Sequence, residues 1–365
     1  MSTIAVNAIT NAAGGNTATI NGMTPTAQSL QGFRNRIING NMVIDQRNNG
    51  ASVTGGVGYT FPVDRFKFYS AAASKLSGQR STVAPSGFTN SILVTSLAAT
   101  TPAAGDEYQL YHQIEGFNAA DLGWGTASAQ SVTLSFWVRS SLTGTFAGAL
   151  NNNGGTRSYV FTYAIAAANT WEQKTITIAG DTSGTWGTGN GIGIQVLWDL
   201  GSGSNFEAAA DSWLSAFDCR TSGSVRLIGT SGATFYITGV QLEAGSVATP
   251  FERRPYGTEL ALCLRYAYKN TSGNYTGFVY NGVPMFTIPF PVVMRAIPTA
   301  TAVTLLSPFS STGAGQTNYT GATNIGVSNT EELARVNLTG GSWSSSTPNG
   351  TACMGASVLL FNAEL

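Results

Sequence analysis

Residues Val132-Thr-Leu-Ser-Phe-Trp-Val-Arg139 place an apolar side chain at every second position. Val132, Leu134, Phe136 and Val138 therefore share one face of an extended chain, because successive side chains of a β-strand point to opposite sides. A period of two is typical of a half-buried antiparallel strand. The same pattern puts Trp137 on the face opposite to the core.

The same alternation recurs on both sides of this stretch. The repeats are separated by runs rich in Gly, Ser and Asn, which favour turns. The segments that show it are 65–69, 91–95, 108–114, 159–165, 176–178 and 192–198. No long helical pattern alternates with them, which argues against a parallel α/β fold. We therefore predict a mainly β protein built on an antiparallel β-sandwich of the jelly-roll kind.

One predicted strand changes phase within its length. Phe235 and Ile237 share one parity, Val240 and Leu242 share the other, and Gly239 lies between the two pairs. A β-bulge at this glycine would return both pairs to the same face. We predict such a bulge at Gly239.

Changes in composition divide the chain into three parts. Residues 1–36 show little periodicity, and we interpret them as an extended N-terminal attachment arm that orders against a partner. Residues 37–248 form the jelly roll. Residues 249–365 contain a linker, one short helix and a smaller β-rich C-terminal domain. The helix is predicted over residues 258–269, with Thr258 as its N-cap and Glu259 in its first turn.

The chain carries unusually few charges. Of its 365 residues 10% are charged, and 18 basic residues balance 18 acidic ones, whereas soluble domains average roughly 25% charged residues. A neutral surface has little attraction for phosphate backbones or anionic lipids, and no apolar run approaches a membrane span. We expect neither nucleic acid binding nor membrane insertion. The N-terminus shows no signal peptide.

The residues needed for catalysis are scarce. The single histidine, His112, shares a strand face with Leu110 and Ile114, which predicts a half-buried structural role. Three widely spaced cysteines (Cys219, Cys263 and Cys353) are interpreted as free, buried thiols. We predict no catalytic residue, no cofactor and no metal site, although a structural calcium ion stays open. Glycoside hydrolysis needs only two suitably spaced carboxylates, so hydrolysis stays a minor alternative.

Four tryptophans are the candidate glycan contacts, because sugar rings stack on aromatic side chains. Trp186 lies in the polar run Ser183-Gly-Thr-Trp-Gly-Thr-Gly-Asn190, Trp343 lies in a similar run, and Trp124 lies between two glycines. Trp137 is the fourth, on the outer face of its strand. The alternative for each loop tryptophan is that it packs the loop onto the core. For Trp137 the alternative is a cover formed by a loop or a neighbouring subunit.

Several runs of sequence resemble bacteriophage tail-fibre and related virion structural proteins. They occur in the order that those proteins show, and the middle ones resemble a carbohydrate-binding-module-like jelly roll. The runs are Gly32-Phe-Arg-Asn-Arg-Ile-Ile-Asn-Gly-Asn-Met-Val-Ile-Asp-Gln-Arg47, Val63-Asp-Arg-Phe66, Gln113-Ile-Glu-Gly116, Leu134-Ser-Phe-Trp-Val-Arg139, Asn169-Thr-Trp-Glu172, Ile237-Thr-Gly-Val-Gln-Leu-Glu-Ala-Gly245, Pro250-Phe-Glu252, Leu260-Ala-Leu-Cys-Leu-Arg-Tyr266 and the stretch 290–299. The resemblance implies a trimeric virion protein that contains a jelly-roll domain.

The sequence thus leads to three hypotheses. The first is a tail-fibre-like virion protein, assembled in the host cytoplasm, that binds a bacterial surface glycan as a homotrimer and contacts other phage structural proteins through residues 1–36. The second is an architectural head-decoration or collar fibre protein without a host ligand. The third, a capsule depolymerase, is the least favoured, and we expect the chain not to be an enzyme.

Overall fold

The computed structural model describes residues 33–270, 275–280, 283–304, 309–312, 315–320, 324–339, 342–343, 350–354 and 358–365. Thirteen strands in the first of these ranges build the sandwich. They are β1 (Val53–Thr54), β2 (Gly58–Val63), β3 (Phe66–Ser70), β4 (Leu76–Ser81), β5 (Ser91–Ser96), β6 (Tyr108–Glu115), β7 (Val132–Ser140), β8 (Gly144–Asn151), β9 (Ser158–Ile165), β10 (Glu172–Ile178), β11 (Ile192–Asp199), β12 (Trp213–Leu214) and β13 (Thr234–Ala244).

These strands form two antiparallel sheets that enclose the core. Sheet A has the order β1-β4-β5-β13-β7-β10, and sheet B has the order β12-β9-β8-β11-β6-β3-β2. Four short 3-10 helices lie in the connections, at Gly116–Asn118, Ala120–Leu122, Ser204–Phe206 and Leu227–Gly229. The mainly β, antiparallel sandwich predicted from the alternation is confirmed.

The core lies between the inner faces of the two sheets. Val132, Leu134, Phe136 and Val138 of β7 are fully buried there, as their shared parity predicts. Trp198 of β11 packs against Phe136 from the opposite sheet, with ring centroids 5.7 Å apart. Complete burial of side chains of this size stabilises the fold by roughly 1.5–3 kcal/mol each.

The predicted bulge in β13 is confirmed. The register with β7 shifts between Thr238 and Gln241, and Gly239 adopts a left-handed conformation with φ of 61°. Phe235, Ile237, Val240 and Leu242 are consequently all fully buried. A β-carbon at Gly239 would lie 2.7 Å from Cζ of Phe88, so the site needs glycine for space as well as for its backbone conformation.

The segment before β1 crosses the sandwich without regular structure. The Asn35 side chain donates to the Val240 carbonyl at 3.0 Å and accepts from the Leu242 amide at 3.1 Å. Ile37 and Met42 belong to the core. Residues 1–32 of the predicted arm lie outside the described residues, so its role and the boundaries at 36/37 and 248/249 stay predictions.

The helix α1 (Tyr256–Leu264) differs from its prediction at both ends. Pro255 precedes it, and Thr258 lies inside the helix instead of capping it, so the predicted N-cap is wrong. Residues predicted as its last turn form β14 (Ala267–Asn270), which pairs with residues 359–362. Backbone pairing with a strand distant in sequence therefore overrides the local helical pattern.

In the part of the chain after the helix that the structure describes, the strands form two further antiparallel sheets. A three-stranded sheet has the order β14-β24-β17, and an eight-stranded sheet has the order β20-β21-β16-β15-β23-β18-β19-β22. The strands are β15 (Tyr275–Tyr280), β16 (Val283–Pro289), β17 (Thr299–Thr304), β18 (Phe309–Thr312), β19 (Gly315–Thr320), β20 (Asn324–Asn329), β21 (Leu333–Thr339), β22 (Ser342–Trp343), β23 (Gly350–Met354) and β24 (Val358–Asn362). Within the described ranges, no helix is long and apolar enough to cross a membrane.

Candidate functional site

The outer face of sheet B is largely covered. Strand β6 turns Leu110, His112 and Ile114 inward, so Gln109, Tyr111, Gln113 and Glu115 point outward, yet all eight residues of the strand are buried. A second layer must therefore lie on the outward side, although an exposed sheet face would normally be polar and wet.

That second layer comes from the segment between β11 and β13. Phe206, Leu214 and Phe217 pack over Tyr111 and Leu197 in one apolar cluster. The segment is held by Arg220, which is fully buried. Its guanidinium lies 3.4 Å from the Asp199 carboxylate and 3.3 Å from the Glu207 carboxylate. This pairing offsets part of the cost of burying the charges.

Tyr59 lies at the open edge of the same face. Its ring contacts Tyr69, the residue opposite it in the β2–β3 ladder, with centroids 5.1 Å apart. It also contacts Tyr111 of β6 at 5.6 Å. Both contacts are edge-to-face, the arrangement that aromatic pairs prefer. We call Tyr59, Tyr69 and Tyr111 the tyrosine cluster. Half of Tyr59 (50%) remains exposed.

Lys67 of β3 supports the cluster from one side. Its Nζ atom lies 4.2 Å from the centre of the Tyr59 ring, a cation–π contact. The ammonium donates to Gln113 Oε1 at 2.6 Å and to the Leu365 carbonyl at 2.7 Å. Burial lowers the Lys67 pKa, against the opposing charge of Glu364 and with a smaller contribution from Arg65, to a net value of about 8.

A line of amides continues from Lys67 across the outer face. Gln113 donates to Gln195 Oε1 at 2.7 Å, and Gln195 donates to the Asn152 carbonyl at 3.1 Å. The side chains thus form a hydrogen-bonded row across β3, β6 and β11. Such a satisfied network fixes its members in position, so the cluster rests on a rigid support.

One carboxylate, that of Glu107, borders the tyrosine cluster. Its Oε2 atom lies 3.3 Å from the Tyr111 hydroxyl, which also donates to the closer Gln109 Oε1, and partial burial raises the Glu107 pKa. Burial also raises the Tyr59 pKa, and the Glu107 charge adds to this effect. The open edge therefore presents an aromatic ring, phenol groups and a carboxylate, a set that can stack on a sugar ring and bond to its hydroxyls.

The structure brings two of the four candidate tryptophans together in the buried core of the sandwich. The rings of Trp124 and Trp186 meet at 4.6 Å, and Trp213 joins them at 5.3 Å and 5.4 Å. Trp124 is 7% exposed and Trp186 is 8% exposed. The small cavity that they line has room for about one water molecule. A sugar ring needs more open aromatic surface than this.

The other two candidate tryptophans lie apart. Trp137 is partly buried on the outer face of sheet A, where the β-carbon position of Gly239 is 3.1 Å from its Cδ1 atom. Trp343 is part of β22, opposite Tyr319, and its side chain lies outside the described residues. The roles of these four residues as glycan contacts stay predictions.

His112 and two of the cysteines lie in the interior, and His112 is buried more deeply than the half-buried position that the sequence predicts. His112 is fully buried, and its Nε2 atom lies 3.1 Å from the Ile38 carbonyl oxygen. Burial, aided by the charge of Arg65, holds its pKa well below the usual value, so the ring is neutral. Cys219 and Cys263 are free and buried, as predicted. The side chain of Cys353 is not among the described ones.

The described residues contain no group of three or more His, Cys, Asp or Glu side chains that could hold a metal ion.

The tyrosine cluster was not predicted from the sequence. A signal was nevertheless present, because the outward parity of β6 carries Gln109, Tyr111 and Gln113 where a solvated face would favour charged residues. Only the pairing of β2, β3 and β6 brings this row beside Tyr59.

Comparison with known proteins gives only distant similarities. No protein-family model matches the chain, and no curated protein matches it in sequence. Among solved structures, the enzymatically active domain of bacteriophage CBA120 tailspike protein 4 shares 11% identity at a TM-score of 0.30. The match covers 59% of this chain and 22% of that chain, so this chain spans only about a fifth of its length.

Carbohydrate-binding modules are also among the similar structures. A family 11 module from Clostridium thermocellum, solved with a β-1,3-1,4-mixed-linked tetrasaccharide, shares 10% identity at a TM-score of 0.28, covering 53% of this chain and all (100%) of that one. The C-terminal family 22 module of Clostridium thermocellum Xyn10B shares 15% identity at 0.27, covering 53% and 97%. At TM-scores this low, the function of the site must be argued from the geometry of this chain.

Proposed function

We propose that this protein binds a carbohydrate at the tyrosine cluster on the outer face of sheet B. The observation that carries the proposal is the half-exposed ring of Tyr59, held in place by two tyrosines and by the Lys67 ammonium. A ring fixed in this way loses little conformational freedom when a sugar stacks on it, so more of the contact energy is available for binding.

The charges around the cluster favour a neutral glycan. Lys67 is only 6% exposed, and its ammonium is occupied by Gln113 and Leu365. The charge that borders the opening is the Glu107 carboxylate, which accepts hydrogen bonds from hydroxyl groups and repels a second carboxylate. A neutral sugar therefore suits the site better than a uronic acid.

The chain is proposed to act in a bacteriophage particle, as a tail-fibre-like homotrimer that contacts other virion proteins through residues 1–36. The proposal is supported by the low charge and by the runs between residues 32 and 299, which resemble tail-fibre proteins and occur in the same order as in them. Light scattering of the purified chain tests the trimer, for which we expect three times the mass of one chain. A monomeric mass at micromolar concentration would contradict it.

We further propose that binding occurs without catalysis. Hydrolysis of a glycosidic bond would require a second carboxylate beside Glu107. Glu364 lies near Lys67, but its side chain is 6% exposed and paired with Arg47 and Arg65, so it is not free for this role. Release of reducing sugar from host capsule or lipopolysaccharide would contradict this proposal.

Replacement of Tyr59 by alanine tests the binding proposal. We expect Tyr59→Ala to weaken binding to a neutral oligosaccharide, found by screening a glycan array, by at least about tenfold, because it removes the stacking ring. Tyr256→Ala is the matched control, since Tyr256 is an exposed tyrosine at the start of α1. Titration calorimetry measures both. Equal loss in the two variants, or none in Tyr59→Ala, contradicts the proposal.

An architectural role is the second candidate. The observation in its favour is the layer formed by Phe206, Leu214 and Phe217, which closes most of the outer face of sheet B. Gold-labelled antibodies against the chain distinguish the two roles on intact particles. Label at the tail fibres is expected for receptor binding, and label over the head or collar supports the architectural role.

A further inference from the structure

Residues 363–365 leave the C-terminal sheets and lie against the sandwich. They follow β24, which is paired with β14 and β17. The Ala363 amide still donates to the Tyr266 carbonyl at 2.8 Å, but the next two residues contact groups of the β3 region. This short segment therefore connects the C-terminal unit to the outer face of sheet B.

Glu364 is held by two arginines of the sandwich. Its Oε1 atom lies 3.2 Å from Arg47 Nη2, and its Oε2 atom accepts from Arg65 Nη1. The side chains of Arg47, Arg65 and Glu364 expose 7%, 1% and 6% of their surface. Arg65 also stacks over the Tyr266 ring, 3.5 Å from its centre, so the arginine is fixed on two sides.

Leu365 contacts the residue that supports Tyr59. Its main-chain oxygen accepts from Lys67 Nζ, and the same ammonium lies over the Tyr59 ring. The 363–365 segment is therefore linked to the tyrosine cluster through Lys67, by one hydrogen bond and one ring contact. The charge of Glu364 acts on the same ammonium and opposes the fall of the Lys67 pKa.

Arg295 ties the segment down at a second place. Its guanidinium donates to the Ala363 carbonyl at 2.8 Å and to the Glu364 carbonyl at 3.0 Å. It also donates to Asn190 of the sandwich, to the carbonyl at 3.0 Å and to Oδ1 at 2.9 Å. Arg295 of the C-terminal unit therefore links the segment to the sandwich.

Electrostatics makes this attachment dependent on Glu364. The three cations Arg47, Arg65 and Lys67 converge on the segment, and a second carboxylate, that of Asp64, lies 3.7 Å from Arg47. Removing one partner of a buried ion pair leaves an uncompensated charge, which is strongly unfavourable. Without Glu364, the cations gain free energy by separating and reaching water, which moves the segment and Lys67.

We propose that Glu364 and Leu365 form a clasp that holds the C-terminal unit on the sandwich and positions Lys67 against Tyr59. The glycan contact is complete only while the clasp is closed, and Lys67 acts as a positioning residue. This inference rests on the proposed function, because it assigns control of the same binding site to residues distant in sequence from the tyrosine cluster.

Lysine acylation measured by mass spectrometry reports the clasp without a glycan. Acylation rates measured across a range of pH give the limiting rate of the neutral Lys67 amine, which removes the effect of Glu364 on the Lys67 pKa. In Glu364→Gln, we expect this limiting rate to be roughly five- to tenfold higher than in the unmodified chain, with the partly exposed Lys75 as the internal reference. Glu332→Gln is the matched control, because it makes the same change at an exposed position of the C-terminal unit. An unchanged Lys67 rate in Glu364→Gln overturns the clasp.

Glycan titration of the same variants tests the coupling. We expect Glu364→Gln to weaken binding by roughly five- to tenfold, and Glu332→Gln to leave it unchanged. Faster labelling of Lys67 with unchanged affinity overturns the coupling. If the unmodified chain binds no glycan, the proposed function and the coupling both fail, whereas the labelling rates still decide whether the clasp exists.

A second variant covers the case in which Glu364→Gln fails to fold. Arg295→Gln loosens the 363–365 segment from outside the ion cluster, because the guanidinium bonds to the Ala363 and Glu364 carbonyls are lost. We expect a smaller rise in Lys67 labelling than Glu364→Gln would give. A Lys67 rate equal to that of the unmodified chain counts against the clasp.

Discussion

The burial of some single side chains can be predicted from the local sequence pattern, and the burial of others cannot. The four apolar residues of β7 are buried as their parity predicts, because a strand that covers a core has only two faces. Trp186 is different. Its run of Gly, Ser and Thr is equally compatible with an exposed loop and with a loop packed onto the core. Trp124 and Trp213, which cover it, come from distant parts of the chain.

The raised pKa of Asp64 predicts a specific dependence of stability on pH. Burial raises its pKa from 3.8 to about 6, although Arg47 and Gln46 oppose the rise. The folded state therefore binds this proton more tightly than the unfolded state. The stabilisation is complete below the unfolded pKa and is lost as pH rises through the folded value, a change of a few kcal/mol.

Asp64→Asn removes this titration. We expect the melting temperature of the unmodified chain, relative to Asp64→Asn, to fall between pH 3.8 and about pH 6, the interval between the unfolded and folded pKa values of Asp64. Asp211→Asn, at an exposed position, is the control and should follow the unmodified chain. Parallel melting curves for Asp64→Asn and the unmodified chain across this range would show that Asp64 does not titrate as described.

At the scale of elements, strands were predicted better than their connections. The bulge in β13 follows from the sequence, because one extra residue in the strand returns the apolar side chains on both sides of it to the same face. The predicted helix extends too far because residues 267–270 pair with residues 359–362, a contact that no local window contains. The covering layer on sheet B was missed for a similar reason, since Phe206 and Phe217 show no regular period.

Gly239 should tolerate substitution worse than a glycine in open space. We expect Gly239→Ala to lower the free energy of unfolding by about 2–4 kcal/mol, from its left-handed backbone and from the contact with Phe88. Gly223→Ala is the control, because Gly223 also has positive φ but no atom near its β-carbon position. Urea unfolding measures both, and equal losses would show that the Phe88 contact costs nothing.

At the scale of the whole molecule, the proposed site depends on both parts of the chain. The tyrosine cluster belongs to sheet B, and the residue that supports it is bonded to Leu365. The helix α1 and the segment before β1 add further contacts, such as the Asn39 amide donating to Glu259 at 2.5 Å. The sequence predicted the two β-rich parts. It could not predict this junction, because the junction joins residues more than two hundred positions apart.

The most direct test of glycan binding is a crystal structure of the chain soaked with the neutral oligosaccharide selected by array screening. Our account predicts a sugar ring stacked on the exposed side of Tyr59, with a hydroxyl group bonded to Glu107. A sugar bound elsewhere, with Tyr59 uncovered, would contradict the assignment of the site to the tyrosine cluster.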